Sequence, residues 1–587
     1  MQFQSGWLMA ICFQQLLVVD AANFEERCLQ FRPQAFVDDS QLTRLEYLTE
    51  GTDAVFPEND PSCNSYKQQV KANLCRIGLT IKTSERSEIS FELWLPEKWA
   101  GKRLLSTGNG GVDGCIIYPD LAYGSSHGFA TLGTNNGHNG KSARAMLNNE
   151  DVVIDYSYRA LHTGTRAGKR LAEAFYGAGP AYSYYSGCSL GGRMGIQAAD
   201  LYPDDYDGIV AGAPAVDFNL LQGQRAMFFN VTGAAGGGSP DYIETGTWKG
   251  LVHDEVLRQC DGLDGVRDGI IEVPSRCRFD PGTLLCAAAT RRGTRRGTRR
   301  GNRPPSPPPP QSECLNEAQV EQLRSIYAEY RWPNGTLLFP RMNPGNEIAA
   351  TEGLLAGKPF NYSVEYYRYE VTNDPSWDMS RFSFDVIRRG ERTNPGRIRT
   401  YPTTLQRFQA RGGKAIVYHG GQDQQITSFN SERFYERLAG HQDQEDSSSS
   451  SSTSAAAAAV AAMDGWYRFF RIAGMQHCGG GPGAWVFGQG GGVAAVTPST
   501  SSTSETTGDG DDGDGDGGDG FDPATNVLAA AVAWVEGGRA PATILGTKYV
   551  NDSVALGVDF QRRHCRYPQA QTYLGGDAKQ ASSWECR

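Results

Sequence analysis

No Cys-x-x-Cys pair occurs in the 587 residues, which removes the commonest spacing of a structural zinc site. Beyond residue 19 there is no long uncharged apolar run, so no membrane anchor is expected. Positive charge is not in excess either. The formal net charge is -10, which argues against a general affinity for nucleic acid. What remains is an ordinary soluble-protein composition, 39% hydrophobic and 21% charged, in a chain long enough for more than one domain.

The apolar stretch that does exist, Trp7 to Val19, is followed by Asp20-Ala21-Ala22. It is too short to span a bilayer comfortably, and small residues follow it, so residues 1–22 read as a signal peptide. Its n-region lacks Lys and Arg, and the other reading is a buried N-terminal helix. Of 13 cysteines, Cys12 lies in this segment, and the even remainder reads as disulfides formed in an oxidising compartment. Sequons at Asn230, Asn334, Asn361 and Asn551 add candidate glycosylation acceptors. Together these features indicate a secreted, extracellular protein.

The stretch that organises the rest is Tyr184-Tyr185-Ser186-Gly187-Cys188-Ser189-Leu190-Gly191-Gly192. Gly187-x-Ser189-x-Gly191 is the pattern of a nucleophile elbow, where a strand turns sharply into a helix and presents a serine hydroxyl. The aromatic-rich run 181–185 suits the strand and 192–202 the helix, which stops before Pro203. Upstream, Phe91 to Pro96 and Lys102 to Leu105 read as strands. The glycine-rich loop Thr107 to Gly114 follows, where an esterase of this type places an oxyanion donor. The candidate donors are the N–H of Leu190 and those of the Gly110–Gly111 loop. A helix before the elbow strand is expected to end at Gly177, and Tyr206 to Pro214 reads as the next buried strand. Strand, helix, strand in this order suggests a parallel, doubly wound sheet.

Residues 215–400 break that rhythm and read as an inserted lid domain, which divides the core into 23–214 and 401–587. Inside the insertion, Asp261, Asp264 and Asp268 lie in a glycine-rich run between Cys260 and Cys277. Carboxylates with backbone carbonyls between them are hard-oxygen calcium chemistry, although the spacing is not an EF-hand. The alternative is an Asp/Gly-rich surface turn. Residues 291–310, 447–462 and 497–520 are low-complexity tracts, Arg/Pro-, Ser/Ala- and Asp/Gly-rich in turn, read as surface insertions.

Two further candidates complete a catalytic set. Lys414 to Asp423 is a strand running into a turn that ends in an acid, and His477 sits in a glycine-rich loop. The chain order Ser, Asp, His is that of the α/β-hydrolases. With eight histidines in the chain a single one carries little weight, but Cys188 adjoins Ser189 and Cys478 adjoins His477. A disulfide between them needs Cα atoms about 5.5 Å apart, which brings serine and histidine within reach of each other. Such a bond closes a loop of about half the chain, worth at most about 5–6 kcal/mol of chain entropy. Twelve cysteines allow many other pairings.

Gly187-Cys188-Ser189-Leu190-Gly191-Gly192, His419-Gly420-Gly421-Gln422-Asp423 and His477-Cys478 resemble the Cys-Ser, Asp, His-Cys signature of the fungal tannase and feruloyl esterase family. Tyr202 to Pro214 resembles the family segment after the elbow, and the likeness runs from about residue 25 to the C-terminus apart from the insertions. The resemblance implies an α/β-hydrolase core, a doubly wound and mostly parallel sheet with an inserted lid domain, with Ser189 as nucleophile, His477 as base, Asp423 as its orienting acid and Cys188–Cys478 as the linking disulfide. It also implies the pairs Cys28–Cys75, Cys63–Cys115, Cys260–Cys277, Cys286–Cys314 and Cys565–Cys586. At the calcium loop it implies a structural Ca2+ held by Asp261, Asp264 and Asp268 side chains and by the carbonyls of Val266 and Ile270, with no organic cofactor. The expected activity is a secreted esterase for phenolic-acid esters, small or attached to plant polysaccharide. A tannase for galloyl esters is the alternative. A serine peptidase and an inactive calcium-stabilised binding protein are the more distant rivals.

Overall fold

The computed structural model describes residues 23–234, 241–286, 313–440, 460–490 and 521–587. The expected signal peptide, the 291–310 and 497–520 tracts and residues 447–459 lie outside these; residues 460–462 open a short helix ahead of Trp466. Nine strands form one sheet: β1 (Ser40–Leu48), β2 (Leu74–Lys82), β3 (Glu88–Pro96), β4 (Arg103–Thr107), β5 (Ala130–Thr134), β6 (Tyr182–Cys188), β7 (Gly208–Gly212), β8 (Lys414–Gly420) and β9 (Tyr467–Ile472). Their order across the sheet is β1-β2-β3-β5-β4-β6-β7-β8-β9. The first three strands and the β3–β5 contact are antiparallel, and every contact from β5 to β9 is parallel. This is the mostly parallel sheet of an α/β hydrolase. Its antiparallel margin, β1 and β2, carries no motif that announces it.

Parallel strands must be covered on both faces, because their crossover connections run over the sheet. Neighbouring tyrosines of β6 show how this works, since successive side chains point to opposite sides. Tyr185 packs with α2 (Leu190–Leu201), through Leu190, Met194 and Ile196. Tyr184 packs on the other face with Val527, Leu528 and Trp534 of α5 (Val527–Gly537). The helix before the elbow strand, α1 (Ala160–Tyr176), starts earlier than its second-half pattern indicates and ends on Gly177 at φ 77°, a left-handed cap that glycine adopts without strain. No helix among the described residues is long and apolar enough to cross a membrane.

Segment 215–400 contributes no described strand to the sheet; its own pairing is a short ladder of Tyr330–Arg331 with Leu337–Phe339. It opens with α3 (Phe218–Val231). Phe218, Leu323, Tyr367 and Trp377 from this segment are buried in the same cluster as Tyr185 and Leu190 of the elbow. The insertion thus continues the core of the sheet rather than forming one of its own. After it, α4 (Ser428–Leu438) follows β8.

Six disulfides tie the fold: Cys28–Cys75, Cys63–Cys115, Cys188–Cys478, Cys260–Cys277, Cys286–Cys314 and Cys565–Cys586. The 291–310 tract falls within the span closed by Cys286–Cys314.

At Gly192, in the first turn of α2, an added Cβ would lie 2.3 Å from the Gly212 carbonyl oxygen and 2.8 Å from Pro214 Cα. Both obstacles are backbone, and the helix cannot retreat without lifting the elbow from β7. Gly192→Ala is therefore expected to cost about 1–3 kcal/mol of stability, read as a lower denaturation midpoint. A wild-type midpoint would contradict this packing.

Candidate active site

Ser189 sits between β6 and α2 at φ 65°, ψ -120°, outside the regions a non-glycine residue prefers. The strain is held by backbone bonds on both sides of the turn. Ser189 N–H donates to the Gly212 carbonyl at 2.9 Å, and its own carbonyl accepts from Arg193 and Ala215 N–H, each at 3.0 Å. The first residue after the serine, Leu190, begins the helix, so its N–H points out of the helix N-terminus, where partial positive charge gathers.

The loop after β4 is drawn tightly against this turn. An added Cβ at Gly108 would lie 2.3 Å from the Tyr185 hydroxyl and 2.6 Å from Gly191 Cα, so only glycine permits the approach. Tyr185 Oη in turn donates to the Gly191 carbonyl at 2.5 Å. Asn109 Nδ2 donates to the carbonyls of Cys115 and Thr134, Tyr156 Oη to the Gly111 carbonyl, and His138 Nε2 to the Val112 carbonyl, so the loop is pinned from beneath. Open space lies where a Gly110 side chain would be. Among the described residues the N–H groups of Leu190, Gly110 and Gly111 donate to no protein acceptor.

Asp423 and His477 come from the loops after β8 and β9. Gly421 N–H donates to the Ile472 carbonyl at 2.8 Å and Gln422 N–H to the Met475 carbonyl at 2.9 Å, which lays one loop on the other. His477 Nδ1 is 2.7 Å from Asp423 Oδ2, and His477 Nε2 is 2.9 Å from Ser189 Oγ. Nδ1 carries the proton towards the carboxylate, which leaves Nε2 free to accept from the serine. Cys188 and Cys478, each one residue from this contact, are joined with their Cα atoms 6.0 Å apart. The cross-link binds the His477 loop to the end of β6.

Asp423 is 1% exposed. Its Oδ1 accepts from the N–H of Gln425 at 2.7 Å and of Ile426 at 2.8 Å. Its Oδ2 accepts from His477 and, at 3.1 Å, from His419 Nε2. Burial by itself would raise this carboxyl, but the neighbouring His477 and the hydrogen bonds from both histidines outweigh it and hold the group well below the usual carboxylate range. His419 was part of the sequence signature without a role. Wholly buried at the end of β8, it sits 2.7 Å from Ser431 Oγ through Nδ1 and 2.9 Å from the Ile426 carbonyl through Nε2. That pattern fixes the tautomer: Nε2–H donates and Nδ1 accepts from the hydroxyl. The available signal was a histidine ending an apolar strand, four residues before the acid.

The chain matches the family model for tannase and feruloyl esterase over residues 75–587. It belongs to that family. A probable feruloyl esterase B-2 of Aspergillus flavus is 45% identical over 553 residues, which is 94% of this chain and 95% of the relative. The crystal structure of feruloyl esterase B from Aspergillus oryzae superposes with a TM-score of 0.82 at 36% identity, over 96% of this chain and all of that one. The tannin acyl hydrolase from Aspergillus niger shares the fold, with a TM-score of 0.68 at 19% identity over 96% of this chain and 95% of the other.

At the expected calcium loop, Asp261 accepts from the N–H groups of Asp268 and Gly269, Asp264 Oδ1 from that of Val266, and Asp268 Oδ1 from that of Ile270. Asp264 Oδ2 is buried without a partner. Burial, with mutual repulsion among these carboxylates, raises Asp261 and pushes Asp264 up to about 6. Among the described residues no cluster of three His, Cys, Asp or Glu side chains is already drawn to metal-binding distance. Asp268 Oδ2 instead lies 3.2 Å from the Arg562 guanidinium, which also reaches Glu272. An orphaned oxygen among hard-oxygen donors fits a divalent cation, whereas the Arg562 contact competes with one at Asp268.

The depressed Asp423 makes stability depend on pH in a definite sense. With its folded value below the ordinary value of about 4, it stabilises the fold fully at neutral pH. That contribution drains away as pH falls from about 4 through its own lower value. Asp423→Asn should therefore flatten the acid limb of a melting-temperature profile below about pH 4, while the wild type falls more steeply. Parallel profiles would refute the assignment.

Proposed function

We propose that this carboxylic ester hydrolase acts as a serine esterase on phenolic-acid esters, such as feruloyl and other hydroxycinnamoyl groups on plant cell-wall polysaccharide. The observation that carries the reading is the relay Ser189 Oγ to His477 Nε2 at 2.9 Å and His477 Nδ1 to Asp423 Oδ2 at 2.7 Å. In it, His477 takes the proton as Ser189 Oγ attacks the ester carbonyl carbon. Negative charge moves to the carbonyl oxygen, and the N–H groups of Leu190 and the Gly110–Gly111 loop receive it. Collapse of the tetrahedral intermediate expels the alcohol with the proton from His477 and leaves an acyl-serine. Water, deprotonated by His477, then releases the acid and restores Ser189. Asp423 keeps the imidazole in its working tautomer and stabilises the imidazolium as it forms.

The curated relatives named feruloyl esterase favour the hydroxycinnamoyl reading over the galloyl one. Six disulfides favour secretion, since such bonds persist in oxidising compartments. The sequon residues Asn230, Asn334, Asn361 and Asn551 are exposed, as glycan acceptors must be. For the loop at Asp261, Asp264 and Asp268 we propose a structural Ca2+, with the Val266 and Ile270 carbonyls completing the set. When bound, it would supply positive charge that neutralises the facing carboxylates.

Ser189→Ala is expected to lower kcat on methyl ferulate by four to six orders of magnitude (about 10⁴–10⁶) and to abolish labelling by a fluorophosphonate probe. Wild-type rates in that variant would sink the mechanism, and faster hydrolysis of methyl gallate than of methyl ferulate by the native enzyme would reverse the choice of substrate. For the cation, chelation should lower the melting temperature and added Ca2+ restore it. An unchanged melting temperature would count against a bound structural ion.

A further inference from the structure

Three polar side chains close to the proposed oxyanion loop have hydrogen-bonding capacity that the protein leaves unused. Asp113 lies in the turn closed by its own N–H donating to the Gly110 carbonyl at 2.9 Å. Although it is 8% exposed, its Oδ1 has no partner. Tyr362 comes from the inserted segment and lies on Gly111: an added Cβ there would be 2.7 Å from its Cζ and 2.9 Å from its hydroxyl. Among the described residues that hydroxyl has no hydrogen-bond partner. Arg225, on α3, is 3% exposed and pairs with no carboxylate among the described residues. Its Nε donates to the Gln425 carbonyl at 2.9 Å, and its guanidinium lies 5.0 Å from the Phe360 ring centre.

These groups are linked to one another and to the catalytic loops by contact. Phe360 meets Tyr362 edge to face with centroids 5.3 Å apart. Gln425 N–H donates to Asp423, which holds His477 on Ser189. Contacts therefore run from Gly111 through Tyr362, Phe360 and Arg225 to the Asp423 loop and back to the serine, and nothing lies within 4 Å of where a Gly110 Cβ would be. A cavity of about 300 Å³ lined by Met227, Val231, Phe382, Phe384 and Ile387 includes none of these residues.

We propose that Arg225, Tyr362 and Asp113 form the polar end of the acyl pocket and select acyl groups whose aromatic ring carries a hydroxyl. The inference rests on the esterase reading above and names the substrate feature that this site recognises. Arg225 supplies a donor to the phenolic oxygen, Asp113 an acceptor for the phenolic hydrogen, and Tyr362 can do either. Phe360 and the Tyr362 ring supply aromatic faces for the ring itself. An acyl group without the hydroxyl would leave the remaining Arg225 donors and the Asp113 carboxyl without that partner, and the mismatch is the source of selectivity. The electrostatics agree with a desolvated, partly neutralised wall. Burial pushes Asp113 up to about 6 and Arg225 down to about 10, and Tyr362 feels both charges.

The test compares kcat/KM for methyl 4-hydroxycinnamate with that for methyl cinnamate, which lacks the ring hydroxyl, in the full-length enzyme. The wild type should favour the hydroxylated ester by about 100-fold or more. Tyr362→Phe, which removes one oxygen from a half-buried ring, should lower this ratio about tenfold, and Asp113→Asn by about 10- to 100-fold. Arg225→Met should lower it as well, and if that variant fails to fold, Tyr362→Phe decides. Equal losses on both esters would mark these residues as structural and overturn the assignment, as would a Tyr362→Phe ratio within twofold of wild type. A wild type that hydrolyses neither ester would instead overturn the esterase reading beneath it.

Discussion

Burying an ionised carboxylate costs several kcal/mol unless donors replace the water it loses, and at Asp423 four donors do so. Two are backbone N–H groups of its own loop, one is His477 and one is His419. Each imposes a condition on the fold. The backbone pair fixes the turn after β8, and His477 requires that the loop after β9 lie on that turn. His419 requires Ser431 on α4 to hold its other nitrogen. The end of the sheet that carries Ser189 is thus organised by the solvation of one anion. The disulfide Cys188–Cys478 then carries that arrangement to the elbow.

The strained serine and the buried acid are opposite kinds of constraint. Ser189 is held in an unfavourable backbone conformation by the bonds to Gly212, Arg193 and Ala215, so its cost is borne by the sheet and α2. Glycine matters here for closeness rather than flexibility, since at Gly108 and Gly192 the neighbouring backbone or ring stands where any Cβ would be. The loop carrying Gly110 and Gly111 comes close to the elbow only because Gly108 has no side chain, and α2 seats against the end of β7 only because Gly192 has none.

The inserted segment bears on the site in a way its composition does not announce. Sharing a core with the elbow, it is not free to tilt as a separate body would be, and Phe218 and Trp377 pack in the cluster that seats Leu190. It brings Tyr362 onto Gly111 and Arg225 beside the Asp423 loop. The relay itself, by contrast, is built entirely from the loops at the ends of β6, β8 and β9.

Local patterns were enough to read the elbow, the strands that lead into Gly108, Ser189 and the Asp423 turn, and the glycine that closes α1, because each is written in adjacent residues. Boundaries shifted slightly: β7 spans Gly208–Gly212 inside the expected 206–214, and α2 begins at Leu190 rather than 192. The strands β1 and β2 were not legible, since an antiparallel margin is defined by its partners and not by a motif. His419 escaped for a related reason, as its role depends on a carboxylate and a serine that only folding brings to it. By itself, then, the sequence determined the fold class, pointed to Ser189, Asp423 and His477, and held an even set of cysteines beyond Cys12 whose pairing the family resemblance supplied. Only the tertiary structure decided how the acid stays charged, how the insertion joins the core, and which unpaired polar groups it brings beside the Gly110–Gly111 loop. The reason is that solvation and packing are set by residues far apart in the chain, and no local pattern records them.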